Sequence, residues 1–386
     1  MKKILVVVPS FAHGGTNRLL LNMLKTNEDR AYEIEVLAMN VSGVYKSRIE
    51  KLVPLVKCNM LNGVEMSVNK IFSDGFFCGV QRFFWKIFFK FFFRSNRTKI
   101  YQFIGKRLRT EKYDTIVGFQ EGSVTKLVSC IPKKRLIAWV QCDYSSYLHF
   151  AGKEDESSIY ERFDRIVCVA KYTASVFSDH YPSLADRVIP IYNVIDNEGI
   201  LNGAKEPLND ERFVTDSFVL TSVGRMDAVK RFSYIPAMAR RMVDAGCDFK
   251  WYIIGDGGEE LQRVFHEIEK FEVEKYVLCL GAKENPYPYI AAADLLVCPS
   301  STEACPNVIN EARVLHVPVV AADFPSACEY VEHGVTGIVS TIEGMADELI
   351  RLCLDKNVYQ AIRRRNENFT YDNSEIRREL ELLFSE

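Results

Sequence analysis

The chain has 386 residues, of which 48% are hydrophobic and 26% are charged, so it can bury a sizeable core, in two domains more readily than in one. Its formal net charge of −2 gives no long-range field that would attract a polyanion, and we expect no nucleic-acid partner. The eleven cysteines occur singly, without a C-x-x-C pair, which argues against a zinc site and against a disulfide framework.

The first half of the chain alternates short apolar runs with helical stretches, the pattern of parallel sheets that are covered on both faces. The apolar run at 4–8 is too short for the core of a signal peptide. No stretch reaches the roughly 18 apolar residues that a membrane-spanning helix needs, and we therefore expect a cytoplasmic protein. Strands are predicted at 4–8, 34–38, 115–119, 136–140 and 165–169.

The first predicted strand leads into a glycine pair, Gly14 and Gly15, and then into a helix at 19–24. Glycines at such a place allow backbone amides to approach a sugar or a phosphate closely. A plain connection between a strand and a helix explains the pair equally well.

An aromatic and basic segment occupies residues 81–95. Its cations recur every four residues, so on a helix they drift by roughly 40° per step and occupy an arc of about 120°, while the rest of the circumference is nearly all aromatic. Such a helix fits a membrane interface, with its amines at lipid phosphates. A core-packed helix with outward-reaching lysines is the alternative. We favour peripheral contact with the inner face of the membrane through Arg82, Trp85, Lys86, Lys90 and Arg94.

The second half repeats the alternation, with strands predicted at 218–223, 250–254, 277–280, 295–298 and 317–321. The weakly patterned stretch 188–216 is interpreted as a linker, which places the boundary near residue 200. The sequence therefore predicts two doubly wound α/β domains, at 1–200 and 201–368, followed by a terminal helix within 369–386.

The segment after the strand at 295–298 carries the strongest chemical signal. Pro306 suits the first turn of a helix that begins near Cys305. The N–H groups of Asn307 and Val308 would then face the edge of the sheet where parallel strands bind ligands, and a nucleotide diphosphate fits there.

Two glutamates accompany this helix start. Glu311 lies four residues beyond Asn307 on the same helix face, where its carboxylate can accept hydrogen bonds from two ribose hydroxyls. Glu303 precedes the helix and would face the sugar. A surface helix with two solvated glutamates is the alternative.

A second loop follows the strand at 218–223, where Gly224 permits a sharp turn and Arg225 and Lys230 bring two cations towards the diphosphate. Fixed cations stabilise the charge that develops on a departing nucleotide, so they can replace a metal ion. No D-x-D pattern occurs, and we expect neither a metal nor another cofactor. Solvated loop charges are the alternative. The turn at Gly255 ends the next strand close to the same place.

These motifs together resemble those of the family 4 glycosyltransferases, retaining enzymes of the GT-B fold. The resemblance covers nearly the whole chain and is densest from 220 to 337. It is carried by Val223-Gly-Arg-Met-Asp-Ala-Val-Lys230, the G-D-G turn at Gly255, Asn285-Pro-Tyr-Pro-Tyr289, Glu303, Glu311 and Gly334-Val-Thr-Gly337.

The resemblance implies two Rossmann-like domains that face each other across a cleft, with an acceptor-binding first domain and a donor-binding second domain. It implies that Arg225 and Lys230 bind the donor diphosphate, that Glu311 binds the ribose and that Glu303 contacts the sugar. The nucleobase, with uracil favoured, would border Gly255, Ala282 and Lys283.

In the first domain, the family loop that reaches the donor from across the cleft commonly reads G-G-A-E-R. This chain keeps Gly14 and Gly15, for which the resemblance implies donor binding, but departs from the pattern in the next two residues. Relatives often show a histidine two places before an aspartate, whereas this chain has Gln141 before Asp143. Gln141 cannot accept a proton, so Asp143 is the first choice for orienting or deprotonating the acceptor hydroxyl, and Glu121 the second. Either carboxylate could instead cap a helix.

The sequence thus predicts a retaining, metal-independent glycosyltransferase. It would move a sugar from a nucleoside diphosphate sugar to a glycan acceptor, plausibly lipid-linked, in the synthesis of a cell-surface polysaccharide. Two alternatives remain: a non-hydrolysing nucleotide-sugar epimerase and a catalytically silent nucleotide-sugar-binding protein.

Overall fold

The computed structural model describes residues 1–12, 14–26, 32–132, 134–152, 155–214 and 216–385. The chain divides into two compact units. The first comprises Met1–Val194 together with Asn373–Glu386, and the second comprises Ile195–Asp372.

The first unit is built on a six-stranded parallel sheet in the order β2-β1-β3-β4-β5-β6. Residues 4–8, in the strand β1 (Lys2–Ser10), are Ile, Leu and Val residues that are all buried, as expected for a strand that helices cover on both sides. The strands are β1 (Lys2–Ser10), β2 (Tyr32–Asn40), β3 (Thr115–Gly118), β4 (Arg135–Val140), β5 (Arg165–Cys168) and β6 (Val188–Pro190).

The helices of this unit follow the strands in alternation, with an insertion of several helices between β2 and β3. They are α1 (Gly15–Thr26), α2 (Lys46–Glu50), α3 (Asn59–Glu65), α4 (Phe76–Phe93), α5 (Arg97–Gly105), α6 (Ser123–Ser129), α7 (Tyr144–Ala151), α8 (Ser157–Tyr160) and α9 (Lys171–His180).

The second unit has its own six-stranded parallel sheet, in the order β12-β11-β10-β7-β8-β9. Its strands, in chain order, are β7 (Phe218–Val223), β8 (Phe249–Ile254), β9 (Val277–Gly281), β10 (Leu295–Cys298), β11 (Val319–Ala322) and β12 (Gly337–Ser340). Its helices are α10 (Asn197–Gly203), α11 (Ile235–Asp244), α12 (Glu259–Lys270), α13 (Tyr287–Ala291), α14 (Asn307–Val314), α15 (Ala327–Tyr330), α16 (Met345–Leu354) and α17 (Lys356–Asn366).

The last helix, α18 (Ser374–Ser385), packs on the first unit although it follows the second in sequence. Its Phe384 ring lies 4.8 Å from the ring of Tyr32, and the Arg135 guanidinium donates a hydrogen bond of 2.6 Å to the carbonyl of Leu383. Helix α18, at the C-terminal end of the chain, therefore packs against the unit that contains the first sheet.

Every predicted strand occurs among the residues that the structure describes, whereas two strands of that part of the chain, β6 and β12, were missed. Val188–Pro190 pairs with β5 as an edge strand, and Asn197–Gly203 is a helix of the second unit, so ten of the 29 residues of the predicted linker 188–216 have regular structure. β12, which pairs with β11, was also missed. Both missed strands are short strands at the edge of a sheet, β6 with three residues and β12 with four.

Among the residues that the structure describes, no helix is long and apolar enough to cross a membrane.

Candidate active site

Four strands of the second unit lie side by side in the order β10, β7, β8 and β9, and all of them are parallel. The loops that follow them therefore lie along one edge of the sheet, where open parallel sheets bind ligands. These loops, together with helix α14 after β10, contain the residues of the second unit that the sequence analysis assigned to the donor.

The loops after β7 and β8 are in direct contact. The Gly224 N–H donates to the carbonyl of Ile254 at 3.0 Å. A Cβ added to Gly255 would lie 1.8 Å from the carbonyl oxygen of Gly224, and one added to Gly257 would lie 2.5 Å from that of Met226. The glycines of the G-D-G turn are therefore required because the neighbouring backbone passes too close for a side chain.

Lys230 and Glu303 meet in the centre of this edge. The Lys230 ammonium lies 2.5 Å from Oε1 of Glu303, and the Ser300 hydroxyl donates to the same oxygen at 2.7 Å. Burial lowers the pKa of Lys230, but the Glu303 carboxylate outweighs it and the net shift is upward. Lys230 is therefore a fixed cation in this site.

Hydrogen bonds between the two loops hold this pair in place. The backbone N–H and the hydroxyl of Ser301 both donate to the carbonyl of Val229, at 2.8 and 3.1 Å. The buried hydroxyl of Ser326 donates to the carbonyl of Glu303 at 2.7 Å. The sequence analysis did not identify these serines, and only their position after strand ends could have indicated them.

Arg225, the other predicted diphosphate ligand, is placed differently. Its side chain is 80% exposed and pairs with Asp227 at 2.9 Å, while its charge acts to lower the pKa of Lys230. The loop thus offers one embedded cation and one solvated cation.

The predicted anion-binding helix begins at Asn307, two residues later than the sequence indicated, and Pro306 takes the N-cap position. Asn307 and Val308 are its first two residues, whose N–H groups lie ahead of the helical hydrogen-bond ladder. Glu311 is almost fully buried, with 4% of its surface exposed. It is therefore not one of the solvated glutamates of the alternative interpretation.

The predicted nucleobase region combines residues from two loops. Gly255 donates through its N–H to the carbonyl of Gly281 at 3.1 Å, so these two loops touch. Ala282 is exposed. The Lys283 ammonium donates to Asp210 at 2.7 Å, an aspartate from the segment before β7 that sequence reasoning missed.

In the first unit, the predicted donor-binding glycines and the predicted catalytic carboxylate also follow strand ends. Gly14 precedes α1 and Gly15 is its first residue. Asp143 caps α7, because its carboxylate accepts from the Ser146 N–H at 3.1 Å and from the Tyr172 hydroxyl at 3.2 Å. The structure thus shows Asp143 as a helix cap, which is one of the two roles that the sequence analysis considered for it.

Glu121, the second choice, has a different environment. Its carboxylate accepts from the backbone N–H of Gln141 at 2.9 Å, and burial raises its pKa. The Gln141 side chain donates to the carbonyl of Phe119 at 2.6 Å. Glu121 is thus a carboxyl group at a strand end that keeps its proton more readily than an exposed glutamate.

The aromatic segment forms α4, but three of its five predicted membrane contacts face the protein. Arg82 is 3% exposed and donates to Asp74 at 2.7 Å and to the carbonyl of Ile71 at 3.1 Å. Lys86 donates to two backbone carbonyls, and the Trp85 ring stacks on Phe89 at 5.6 Å. Arg82 is therefore not available to lipid, which corrects the prediction for this residue. Trp85 and Lys86 are half-buried and make contacts within the protein, whereas Lys90 and Arg94 are exposed.

The outer face of α4 is apolar instead of basic. Its large side chains are between 43% and 80% exposed, and they are Phe76, Phe77, Val80, Phe83, Phe84, Ile87, Phe91 and Phe92.

Within the described part of the chain, no group of three or more His, Cys, Asp or Glu side chains is placed to hold a metal ion. Metal independence stays a prediction.

Comparison with known proteins identifies the class of this fold. Over its whole length the chain is similar to the crystal structure of Anabaena HepE in complex with UDP and glucose, with a TM-score of 0.74, 19% identity and full coverage of both chains. It is also similar to Staphylococcus aureus TarM, with a TM-score of 0.73, 14% identity and coverage of 100% of this chain and 99% of that one. The fold is α/β of the GT-B type with two Rossmann-like domains, as predicted.

Residues 217–355 match the family model described as "Glycosyl transferases group 1". This match lies within the second unit, and the predicted resemblance to family 4 glycosyltransferases of the GT-B fold is confirmed.

Among curated proteins, the chain is 25% identical over 208 residues to an uncharacterised glycosyltransferase of Methanocaldococcus jannaschii, covering 53% of this chain and 50% of that one. It is 26% identical over 187 residues to the N-acetyl-alpha-D-glucosaminyl L-malate synthase of Bacillus anthracis, covering 47% and 48%. It is 31% identical over 173 residues to the Campylobacter jejuni N-acetylgalactosamine-N,N'-diacetylbacillosaminyl-diphospho-undecaprenol 4-alpha-N-acetylgalactosaminyltransferase, covering 44% of each. The matches thus span about half the length of these relatives.

Proposed function

We propose that the protein is a glycosyltransferase that moves a sugar from a UDP-sugar to a glycan acceptor in the synthesis of a cell-surface polysaccharide. The observation that carries this proposal is the meeting of Lys230 and Glu303 beside the start of α14. One edge of one sheet thereby holds a fixed cation for a diphosphate, a carboxylate for sugar hydroxyls and the buried Glu311 for a ribose.

In the proposed reaction, the bond between the sugar and the diphosphate breaks and the nucleotide leaves with increased negative charge. Lys230 and Arg225 stabilise that charge in the transition state, together with the first N–H groups of α14, so the reaction needs no metal ion. The acceptor oxygen attacks from the face that the diphosphate leaves, and the departing phosphate takes the acceptor proton. The sugar thus keeps its anomeric configuration, and no dedicated base is required.

The proposed donor and acceptor are supported by the known proteins. The solved HepE complex contains UDP and glucose, and the similar Campylobacter enzyme is named for transfer to a diphospho-undecaprenol substrate. We therefore propose a UDP-hexose or UDP-hexosamine donor and a lipid-linked acceptor.

A lipid-linked acceptor requires access to a membrane, and the segment 66–110 supports peripheral binding. The apolar outer face of α4 suits insertion into the acyl boundary. The segment also concentrates positive charge in a chain whose net charge is −2, because it contains one acid, Asp74, against Lys70, Arg82, Lys86, Lys90, Arg94, Arg97, Lys99, Lys106, Arg107 and Arg109. Such a segment fits the anionic inner face of a membrane.

Thermal unfolding with a panel of nucleotides and nucleotide sugars tests the donor site. UDP and one UDP-sugar should raise the unfolding temperature strongly, since a ligand that binds only the folded state stabilises it in proportion to its affinity. Lys230→Met and Glu311→Ala should lose this shift, whereas Lys356→Met, at an exposed residue of α17, should keep it. If no uridine nucleotide shifts the unfolding temperature, the proposed donor is wrong.

Product analysis then separates the transferase from its alternatives. Nuclear magnetic resonance of the reaction with a lipid diphosphate saccharide should show a new glycosidic bond with the anomeric configuration of the donor. An epimerase would change the UDP-sugar without an acceptor, and a silent binding protein would leave it intact.

A further inference from the structure

The loop after β9, where the nucleobase is predicted to lie, is held by a carboxylate from another part of the second unit. Asp210 accepts a hydrogen bond of 2.7 Å from the ammonium of Lys283. It also accepts a bidentate pair from Arg212, in which Nε lies 2.8 Å from Oδ1 and Nη2 lies 2.7 Å from Oδ2. The Asp210 side chain is only 8% exposed, so this carboxylate has two cations and little water.

Arg212 connects the same cluster to the strand itself. Its Nη1 and Nη2 atoms each lie 3.3 Å from a backbone carbonyl, those of Cys279 and Leu280. Because a planar guanidinium has fixed donor directions, these bonds define where the end of β9 lies relative to Asp210. Through Arg212 and Lys283, the segment before β7 is thereby connected to the residues on both sides of the turn at Gly281.

Aromatic packing keeps the segment that carries Asp210 in place. The Phe213 ring lies 4.3 Å from the ring of Tyr252 and 5.3 Å from that of Tyr289. The Val214 N–H donates to the Tyr252 hydroxyl at 2.9 Å. The Lys283 ammonium lies 5.4 Å from the centre of the Tyr289 ring. The cluster therefore has a rigid base, and its charges are not those of a loose surface loop.

The charge on Asp210 is secure at ordinary pH. The hydrogen bonds from Arg212 hold the pKa of this carboxyl well below its usual range. Burial acts to raise this pKa, and the hydrogen bond from Lys283 lowers it further. Neutralising Asp210 by substitution would remove the common partner of both cations, of which Lys283 is the more buried, with 21% of its side chain exposed against 53% for Arg212.

We propose that Asp210 is a positioning residue for nucleotide binding, which acts through Arg212 and Lys283 to fix the backbone of residues 281–283 before the donor arrives. This inference rests on the proposed function, because it assumes that the nucleobase lies against that backbone. A loop that is ordered in the free protein loses little entropy on binding, so the binding affinity is higher than that of a mobile loop. Asp210 does not touch the reacting atoms, and its loss leaves the diphosphate end of the site intact.

The test compares Asp210→Asn with the unsubstituted protein in titration calorimetry. The dissociation constant for UDP should rise about tenfold, a change of about 1.4 kcal/mol. The affinity for inorganic pyrophosphate should stay the same, because pyrophosphate occupies only the end near Lys230. In turnover with a UDP-sugar, KM should rise with Kd while kcat changes by less than about twofold. Asp210→Glu should recover part of the UDP affinity.

The matched control is Asp244→Asn, which breaks an exposed carboxylate–guanidinium pair with Arg240 at the end of α11. That pair precedes β8 and so lies at the opposite edge of the sheet from the donor loops. UDP affinity should not change in this control. Should Asp210→Asn fail to fold, Lys283→Met, which keeps the Arg212 bonds, should raise the UDP dissociation constant about threefold.

Two outcomes would overturn the positioning role while leaving the proposed function in place. They are an unchanged UDP affinity in the folded variant, and an equal loss of UDP and pyrophosphate affinity. A fall in kcat as large as the rise in KM would overturn it as well, because the effect would then be on the chemical step. If the unsubstituted protein binds no UDP, the proposed function and this inference fail together.

Discussion

The ammonium of Lys230 lies 2.5 Å from the carboxylate of Glu303, although the two residues are 73 positions apart in the chain. Each follows a different strand, and the two strands are neighbours in the sheet. The cation proposed for the diphosphate is thus paired with the carboxylate proposed for the sugar. Donor binding must therefore share Lys230 between two anionic partners.

Glu303→Gln should separate binding from transfer. Removing the carboxylate frees Lys230 for the diphosphate, so UDP should bind at least as tightly as before, while transfer should fall by about 10²-fold or more because the sugar loses a charged partner. Lys230→Met should instead weaken UDP binding by about tenfold or more. Calorimetry with UDP and initial transfer rates measure the two effects. A Glu303→Gln protein that transfers sugar at the original rate would contradict the role of this residue.

Gly255→Ala should destabilise the second unit through a backbone clash. The added methyl group would lie 1.8 Å from the Gly224 carbonyl oxygen, so the loops after β7 and β8 would have to move apart. We expect a loss of about 1–3 kcal/mol in the free energy of unfolding, together with weaker UDP binding. Gly258→Ala is the matched control, since a Cβ there meets nothing within 4 Å. Denaturant titration of both variants decides the point, and equal stabilities would contradict the steric argument.

Much of the second unit could be predicted because its signals are local. The apolar runs indicated the strands, and Pro306 indicated a helix start within two residues of where it lies. The glycines of the turn at 255–258 were identified by their spacing after a strand. Their physical reason, contact with the loop after β7, needed the coordinates because it joins residues about 30 positions apart.

The orientation of α4 could not be predicted, because the sequence pattern is nearly symmetric. Aromatic residues surround most of the helix, so periodicity finds the stripe of cations without showing which arc meets the protein. Arg82 faces the protein because it binds Asp74 and the carbonyl of Ile71. Both partners precede the helix, so the helical repeat gives no sign of these contacts. Asp210 was missed for a related reason, since its cations lie two and 73 positions away.

Membrane binding should depend on the outer face of α4. The double variant Phe84→Glu with Phe91→Glu should lose flotation with vesicles that contain anionic lipid, because charges on this face oppose insertion. Phe265→Glu changes a partly exposed phenylalanine of α12 in the second unit and is the control. If the double variant floats as well as the control, α4 does not bind the membrane.

Arg82→Met should affect stability and leave vesicle binding unchanged. The substitution removes the buried partner of Asp74 and three hydrogen bonds, so the free energy of unfolding should fall by about 3 kcal/mol. Lys90→Met changes an exposed cation about two turns further along the helix. It should weaken vesicle binding and leave the free energy of unfolding unchanged. Chemical denaturation and flotation of both proteins measure this contrast, and a stable Arg82→Met protein that no longer floats would refute it.

The raised pKa of Glu121 predicts how stability depends on pH. Burial raises this pKa in the folded state, so the folded protein binds a proton more tightly than the unfolded chain does. Stability should therefore fall as the pH rises from the ordinary glutamate pKa through the raised value, and then level off. Glu121→Gln should remove that decline. Unfolding temperatures of both proteins between pH 4 and pH 8 measure the difference, and parallel curves would contradict the prediction.

The docking of α18 on the first sheet has a practical consequence for dissecting this protein. A fragment that ends at Val194 lacks the ring of Phe384 against Tyr32 and the acceptor carbonyl for Arg135, so it would expose an apolar strip that the intact chain covers. Expression of the first unit by itself therefore calls for a gene fusion in which a short spacer joins residues 1–194 to residues 373–385, or for supplying the latter as a synthetic peptide.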